Sequence, residues 1–135
     1  MLKELIPYQT MTLQMNTSAT FSNPNPTLWT PPKGYGLNVS DYNYASLSLL
    51  VNTYSKTSSY NYIRFSLEDS TDDFNYSLIE SSHIQMSIAD TNQEYTFRTM
   101  RKFVGFSNFI RPKIETAGAY PVSFTIRATL MLEKL

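Results

Sequence analysis

The sequence contains no cysteine, which excludes disulfide bonds, thiolate metal ligands and cysteine nucleophiles. It also lacks a surplus of either charge, because 11 basic residues balance 11 acidic ones. A protein held to nucleic acid through phosphates usually carries a basic excess, so we expect no nucleic-acid partner. No apolar run approaches the roughly 18 residues of a membrane-spanning helix, and residues 1–7 are too few and too charged for a signal peptide. We therefore expect no membrane partner.

The clearest pattern in the chain is an alternation of side chains near its C-terminus. A chain of 135 residues, 41% of them hydrophobic, suits one domain with its own core. The apolar residues Val122, Phe124, Ile126, Ala128, Leu130 and Leu132 alternate with Ser123, Thr125, Arg127, Thr129, Met131 and Glu133. A period of two predicts a strand with one row on the core and the other toward solvent or a partner.

Shorter alternations recur upstream and predict further strands separated by polar turns. The candidate core residues on these strands and on the C-terminal one are Leu47, Leu49, Val51, Ile63, Phe65, Leu67, Phe124, Ile126 and Leu130. Residues 69–73 predict a turn, because short Asp and Ser side chains bond their own backbone. About eight strands at this spacing predict an all-β fold, an antiparallel, jelly-roll-like β-sandwich with an extended N-terminal arm.

Two proline-containing segments depart from this regular pattern. Residues 23–36 hold four prolines and two glycines, which indicates a loop rather than a central strand. We therefore divide the chain into an arm with one weak strand, residues 1–36, and a sandwich domain, residues 37–135. The arm lies either on its own sandwich or on a neighbouring subunit. Pro112, between Ile110 and Ile114, predicts an edge strand or a bulge, since proline cannot donate to a ladder.

The sequence offers little for catalysis or for metal binding. His83 is the single histidine, and no nucleophile motif accompanies it. The carboxylates of Glu68, Asp69, Asp72 and Asp73 are clustered, but they lack calcium-loop spacing and fit a solvated turn better. We expect no catalytic residue, no metal site and no cofactor, and we predict that the protein is not an enzyme.

Aromatic residues mark a candidate interface. Strand parity places Tyr60, Tyr62 and Arg64 opposite the core row of their strand, and Tyr54 opposite Val51. Tyrosine and arginine are enriched at interface hot spots because each combines apolar area with a polar tip. The full candidate set is Tyr54, Tyr60, Tyr62, Arg64, Trp29 and Tyr35. The alternatives are cover by the arm of the same chain and contact with carbohydrate.

Four segments carry a resemblance to a known class of proteins. They are SLSLLV at residues 46–51, IRFSLEDSTDDF at 63–74, YTFR at 95–98 and FIRPKIETAGAYPVSFT at 109–125. This order of strands and turns resembles a class of small β-sandwich phage virion proteins, capsid decoration or tail-associated. The sequence departs from the class at Asp73, where glycine is usual, and at Phe74, where tryptophan is usual.

The resemblance implies an architectural role rather than a substrate. It leads us to expect a capsid decoration or auxiliary protein of a phage virion that binds the shell through arm, loops and exposed tyrosines. The expected location is the virion, and the expected partners are the major capsid or tail protein and further copies in a homo-oligomer. A tail, neck or baseplate protein is one alternative. A carbohydrate-binding or host-recognition module is the other.

Overall fold

The computed structural model describes residues 1–13, 27–53, 61–88, 95–117 and 122–135. Within these ranges the chain forms nine β-strands. They are β1 (Leu2–Leu13), β2 (Thr27–Trp29), β3 (Leu37–Asn38), β4 (Tyr44–Thr53), β5 (Asn61–Ser70), β6 (Ser77–Ile88), β7 (Tyr95–Val104), β8 (Phe109–Ala117) and β9 (Val122–Glu133). None of the described residues belongs to a helix that could cross a membrane.

The strands form two antiparallel sheets, which we call the front sheet and the back sheet. The front sheet has the order β1-β9-β4-β7, and the back sheet has the order β2-β8-β5-β6, with β3 also paired to β8. Except from β2 to β3 and from β5 to β6, each connection passes from one sheet to the other. This is the jelly-roll arrangement of a sandwich, and it confirms the predicted fold class.

The core fills the space between the two sheets. Alternate residues of the long strands point into it, as period-two patterning requires. In β9 the buried row is Phe124, Ile126, Ala128, Leu130 and Leu132, while Arg127, Met131 and Glu133 are exposed. All nine candidate core residues lie there, and the most exposed of them, Leu49, is 2% exposed.

Strand β1 lies on its own sandwich rather than apart from it. It pairs with β9 from Leu2 to Leu13, which is one of the two placements that the sequence left open for the arm. Register shifts on both sides of Ile6 interrupt the ladder, and Pro7 falls within the second. Each extra residue reverses which side chains face inward, so the alternation of this strand is weak in the sequence.

The proline-rich loop is fixed to the back sheet at its described end. Short strand β2 pairs with the outer side of β8, and Gly34 donates its N–H to the Asp73 carbonyl at 2.9 Å. Residues 14–26, which belong to the predicted arm, lie outside the described ranges. The division of the chain at residue 36 stays a prediction.

Pro112 occupies an interior strand, at a local gap in the pairing of that strand. One side of β8 pairs with β5 along its length, while its other side pairs with β2 and β3, which do not meet. Between those two short strands, the Pro112 carbonyl accepts a hydrogen bond from Thr30 Oγ1 at 2.8 Å. In an antiparallel strand the nitrogen of a residue points the same way as its carbonyl, so the missing donor costs no ladder bond.

Candidate interaction surface

The outer face of the front sheet has a floor of short side chains. Ser48, on the central strand β4, lies opposite Thr129 of β9 and Met100 of β7. Longer side chains rise around these short ones. The result is a shallow depression of about 580 Å³, lined by Leu2, Ser48, Leu49, Leu50, Arg98, Thr99, Met100, Arg127 and Thr129.

Three apolar side chains stand exposed on this face, and two of them, Leu2 and Met100, line the depression. Leu2 is 57% exposed, Met100 is 64% exposed and Met131 is 41% exposed. Single exposed apolar residues are ordinary, but a group of them on one face is typical of a protein contact. Methionine suits such a contact because its unbranched thioether adapts to the shape of a partner. We call these three residues, together with Ser48, Leu50, Arg98, Lys102, Arg127 and Thr129, the front face.

The charges of the front face are only partly neutralised. Arg127 Nη2 lies 3.0 Å from Glu4 Oε1, and both side chains are about half exposed. Such an exposed pair contributes little to stability. Arg98 and Lys102 are exposed on β7, and neither forms an ion pair with any residue in the described ranges. The β7 side of the front face is therefore basic.

The outer face of the back sheet contrasts with this, because its charges pair with one another. Glu115 lies 3.7 Å from Arg64 and 3.0 Å from Lys113, and Glu68 lies 2.9 Å from Arg111 and 4.0 Å from Lys113. The Glu68 and Arg111 side chains are only 11% and 12% exposed. These five residues, which we call the charge ladder, alternate in sign across β5 and β8.

Arg111 also connects the charge ladder to the loops at the same end. Its guanidinium lies 4.0 Å from the centre of the Tyr76 ring and donates to the Pro31 carbonyl at 3.1 Å. The Tyr76 hydroxyl donates to the Asp73 carboxylate, which also accepts the Gly36 N–H at 2.9 Å. Burial, with the Asp73 carboxylate beside it, raises the pKa of Tyr76 well above its usual range. We call Arg111, Tyr76, Asp73 and Gly36 the loop clamp. The tyrosine that this loop clamp holds is neutral.

The turn predicted at residues 69–73 forms through local side-chain bonds, but Asp69 and Ser70 still belong to β5 and the connection to β6 spans residues 71–76. Ser70 Oγ accepts the N–H groups of Asp72 and Asp73 at 3.2 and 3.0 Å. Asp72 Oδ1 accepts those of Phe74 and Asn75, both at 2.9 Å. These hydrogen bonds hold the pKa of Asp72 well below its usual range, and the bond from the Asn75 N–H contributes most. Asp73 has a φ of 65°, a conformation that glycine adopts most easily and that aspartate tolerates.

The clustered carboxylates bond to the protein itself. Glu68 belongs to the charge ladder, and Asp69 Oδ2 accepts the Ser107 N–H at 2.8 Å. His83 lies on the exposed side of β6. Among the described residues, no three His, Asp or Glu side chains are grouped so that they could hold a metal ion.

The structure disperses the candidate interface residues that it describes. Arg64 lies in the charge ladder and donates to Gln85 Oε1 at 3.1 Å, while Trp29 packs partly buried against the core. Tyr35 is 75% exposed on the loop between β2 and β3. Tyr54, Tyr60 and the side chain of Tyr62 lie outside the described part of the chain.

The front face was not singled out from the sequence, although part of its signal was present. The row opposite the core in β9 contains Arg127, Thr129 and Met131, and the alternation placed this row toward solvent or a partner. Its neighbours Met100 and Leu2 come from β7 and β1, which the register brings alongside. The alternation within β9 predicts which of its residues point outward together. The strand order is needed to show which residues of the neighbouring strands complete the front face.

Comparisons with known proteins show the fold and no family. No protein-family model matches the sequence, and no curated protein matches it. A structure of the VP2 subviral particle of infectious bursal disease virus is similar, with a TM-score of 0.54, 9% identity and 96% of this chain covered. A structure of the Gt strain of that virus gives a TM-score of 0.55 at 13% identity, again over 96% of this chain.

The likeness covers part of each larger viral chain. This chain spans 31% of the first structure's length and 30% of the second's. The CBM22-1 xylan-binding domain of Paenibacillus barcinonensis Xyn10C is also similar, at 10% identity, over 96% of this chain and 87% of its own. The TM-score of that comparison is 0.47. What the two viral structures share with this chain is an all-β sandwich.

Proposed function

We propose that this protein is a non-enzymatic structural component of a phage virion, in the first place a capsid decoration or auxiliary protein. The front face is the observation that carries this proposal. Its exposed Leu2 and Met100 line a shallow depression rather than a deep cleft, and the exposed Met131 lies beside Leu2 on the same face. A broad shallow surface with adaptable apolar side chains suits a protein contact better than a small substrate.

The similarity to a virus particle protein supports the same role. A sandwich of this kind occurs in the subviral particle of infectious bursal disease virus, so the fold can serve as a unit of a viral shell. Each copy of a decoration protein needs only modest affinity, because many copies on a symmetric shell allow multivalent attachment. A tail, neck or baseplate protein would use the same face on a different part of the particle.

Purified particles test this proposal directly. Quantitative mass spectrometry should find the protein at a fixed copy number relative to the major capsid protein, and an electron microscopy map should place it on the shell. Density on the tail or neck would select the alternative. Absence of the protein from purified particles would refute the proposal.

The oligomeric state is part of the same proposal. We propose a homo-oligomer, because copies already joined would present several front faces to a shell at once. Light scattering of the isolated protein measures this state. If the protein were a monomer at all concentrations, the proposed homo-oligomer would be refuted, while the proposed location in the virion would be unaffected.

A further inference from the structure

Strand β7 differs from the other edge strands in the described ranges. The ladder of β1 shifts register twice, the pairing of β6 with β5 shifts between Phe65 and Leu67, and the third edge is divided between β2 and β3. Such interruptions protect an edge from unwanted pairing. By contrast, β7 pairs with β4 over ten consecutive residues without a shift. Its outer edge offers an unbroken template for another strand.

The side chains along β7 determine what could pair there. Arg98, Met100 and Lys102 lie opposite Leu50, Ser48 and Ser46, so they point to the outer face of the sheet. All three are exposed. At about 3.4 Å per residue, Arg98 and Lys102 stand roughly 14 Å apart with the methionine between them. The edge therefore presents a basic, an apolar and a basic position in turn.

These charges disfavour a second copy of the chain at this edge. In an antiparallel pairing that places Met100 beside Met100, Arg98 would lie opposite Lys102 of the other copy. In a parallel pairing in register, each cation would face itself. Like charges directly opposite each other destabilise a strand pair. An acidic strand would meet the same positions favourably.

We propose that the edge of β7 takes up an extended segment of a partner protein as a fifth strand of the front sheet. The segment would carry acidic residues at positions i and i+4 and an apolar residue at i+2. Backbone hydrogen bonds would supply affinity, and the side-chain pattern would supply specificity. The carboxylates would pair with Arg98 and Lys102, and the apolar residue would extend the contact at Met100. The inference rests on the proposed function in one respect only, namely the identity of the protein that supplies the segment.

Peptide binding by the full chain provides the test. A fluorescent peptide with a Glu-x-Leu-x-Glu centre and β-branched residues at x should raise its anisotropy on titration with protein up to about 1 mM. Three probes accompany it: the Lys-x-Leu-x-Lys peptide, the acidic peptide N-methylated at alternate residues, and a single-stranded DNA oligonucleotide. Only the unmodified acidic peptide should bind. Absence of its binding would overturn the inference, as would equal binding of the N-methylated peptide or of DNA.

Charge reversal identifies the site. The double variant Arg98→Glu/Lys102→Glu should weaken the acidic peptide at least about tenfold, since two charge pairs become repulsions. The matched control Lys33→Glu/Lys134→Glu changes net charge equally at exposed residues elsewhere and should stay within about twofold. If both double variants weakened peptide binding equally, net charge alone would explain the effect, and the site would be refuted. Self-association lost only in the first variant would also refute it, in favour of a second copy.

Peptide binding and occurrence in particles together separate this inference from the proposed function. If the protein occurs in particles but the acidic peptide does not bind it, the inference fails and the function stands. If the peptide binds as expected but the protein is absent from particles, the function fails and the edge-strand site stands.

Discussion

The outer faces of the two sheets use their charged residues in opposite ways. On the back sheet, Glu68 and Arg111 are mostly buried and belong to a charge ladder that alternates in sign. On the front sheet, Arg98 and Lys102 stand exposed beside the apolar Met100. Charges satisfied within the chain hold the fold, while unpaired charges beside exposed apolar area are open to a partner. Four predictions test this contrast, beginning with the largest expected effect.

Removing the charge of Glu68 should destabilise the protein the most. Glu68→Gln removes the ion-pair partner of Arg111 in a largely desolvated place, so we expect a loss of about 2–3 kcal/mol, below the value for a fully buried pair. The matched change on the other sheet, Glu4→Gln, breaks an exposed pair and should cost at most about 0.5 kcal/mol. Urea unfolding measures both. Equal losses would contradict the contrast between the faces.

A methyl group at Gly36 should loosen the loop clamp. A Cβ there would collide with the Tyr76 hydroxyl and approach Asp73 Oδ1 to 2.6 Å, so Gly36→Ala should cost about 1–2 kcal/mol. Tyr76→Phe removes the nearest atom. In the double variant, the additional cost of Gly36→Ala should therefore fall. An unchanged cost in this double-mutant cycle would show that the strain arises elsewhere.

Acid should weaken the turn between β5 and β6 through Asp72. The folded chain holds the pKa of Asp72 below its ordinary value of 3.8, so its charged form stabilises the fold above that pH. This stabilisation is lost as pH falls from about 4 toward the depressed folded pKa. Asp72→Asn keeps an acceptor oxygen but no titration. The urea midpoint should therefore decrease more between pH 7 and pH 3 in the wild type than in the variant. Equal falls would exclude Asp72 as a source of acid sensitivity.

Changes on the front face should barely affect stability. Met100→Ser and Met131→Ser remove exposed apolar atoms, so each should shift the free energy of unfolding by less than about 0.5 kcal/mol. Thermal and urea unfolding measure the shift. A loss above about 1 kcal/mol would show that these side chains pack within their own chain, which would withdraw the front face as an open surface.

The sequence predicted those parts of the fold that depend on local patterns. The alternation in β9 assigned Phe124, Ile126 and Leu130 to one row, and burial of that row follows directly from a period of two. The turn at Ser70 and Asp72 was predictable because its bonds join residues two or three positions apart. Local chemistry is visible in the sequence before any tertiary contact is known.

Contacts between distant segments were beyond such reasoning. The parity of β5 placed Arg64 on an outer face, but parity does not reveal that Glu115 lies beside it across the ladder. Glu68 and Arg111 likewise pair across 43 positions.

The position of β9 between β1 and β4 has a consequence for biosynthesis. A ribosome makes β1 before the other described strands, yet Leu2 pairs with Met131. Strand β1 therefore has no partner in its sheet until almost all of the described sequence has been translated. Strand β4 also lacks one of its two neighbours until then. Pairing between strands so distant in sequence is slow to form, and unpaired strands attract one another in the meantime. The front sheet therefore closes only after translation of the final strand, and a nascent chain stalled before β9 would expose two strand edges to aggregation.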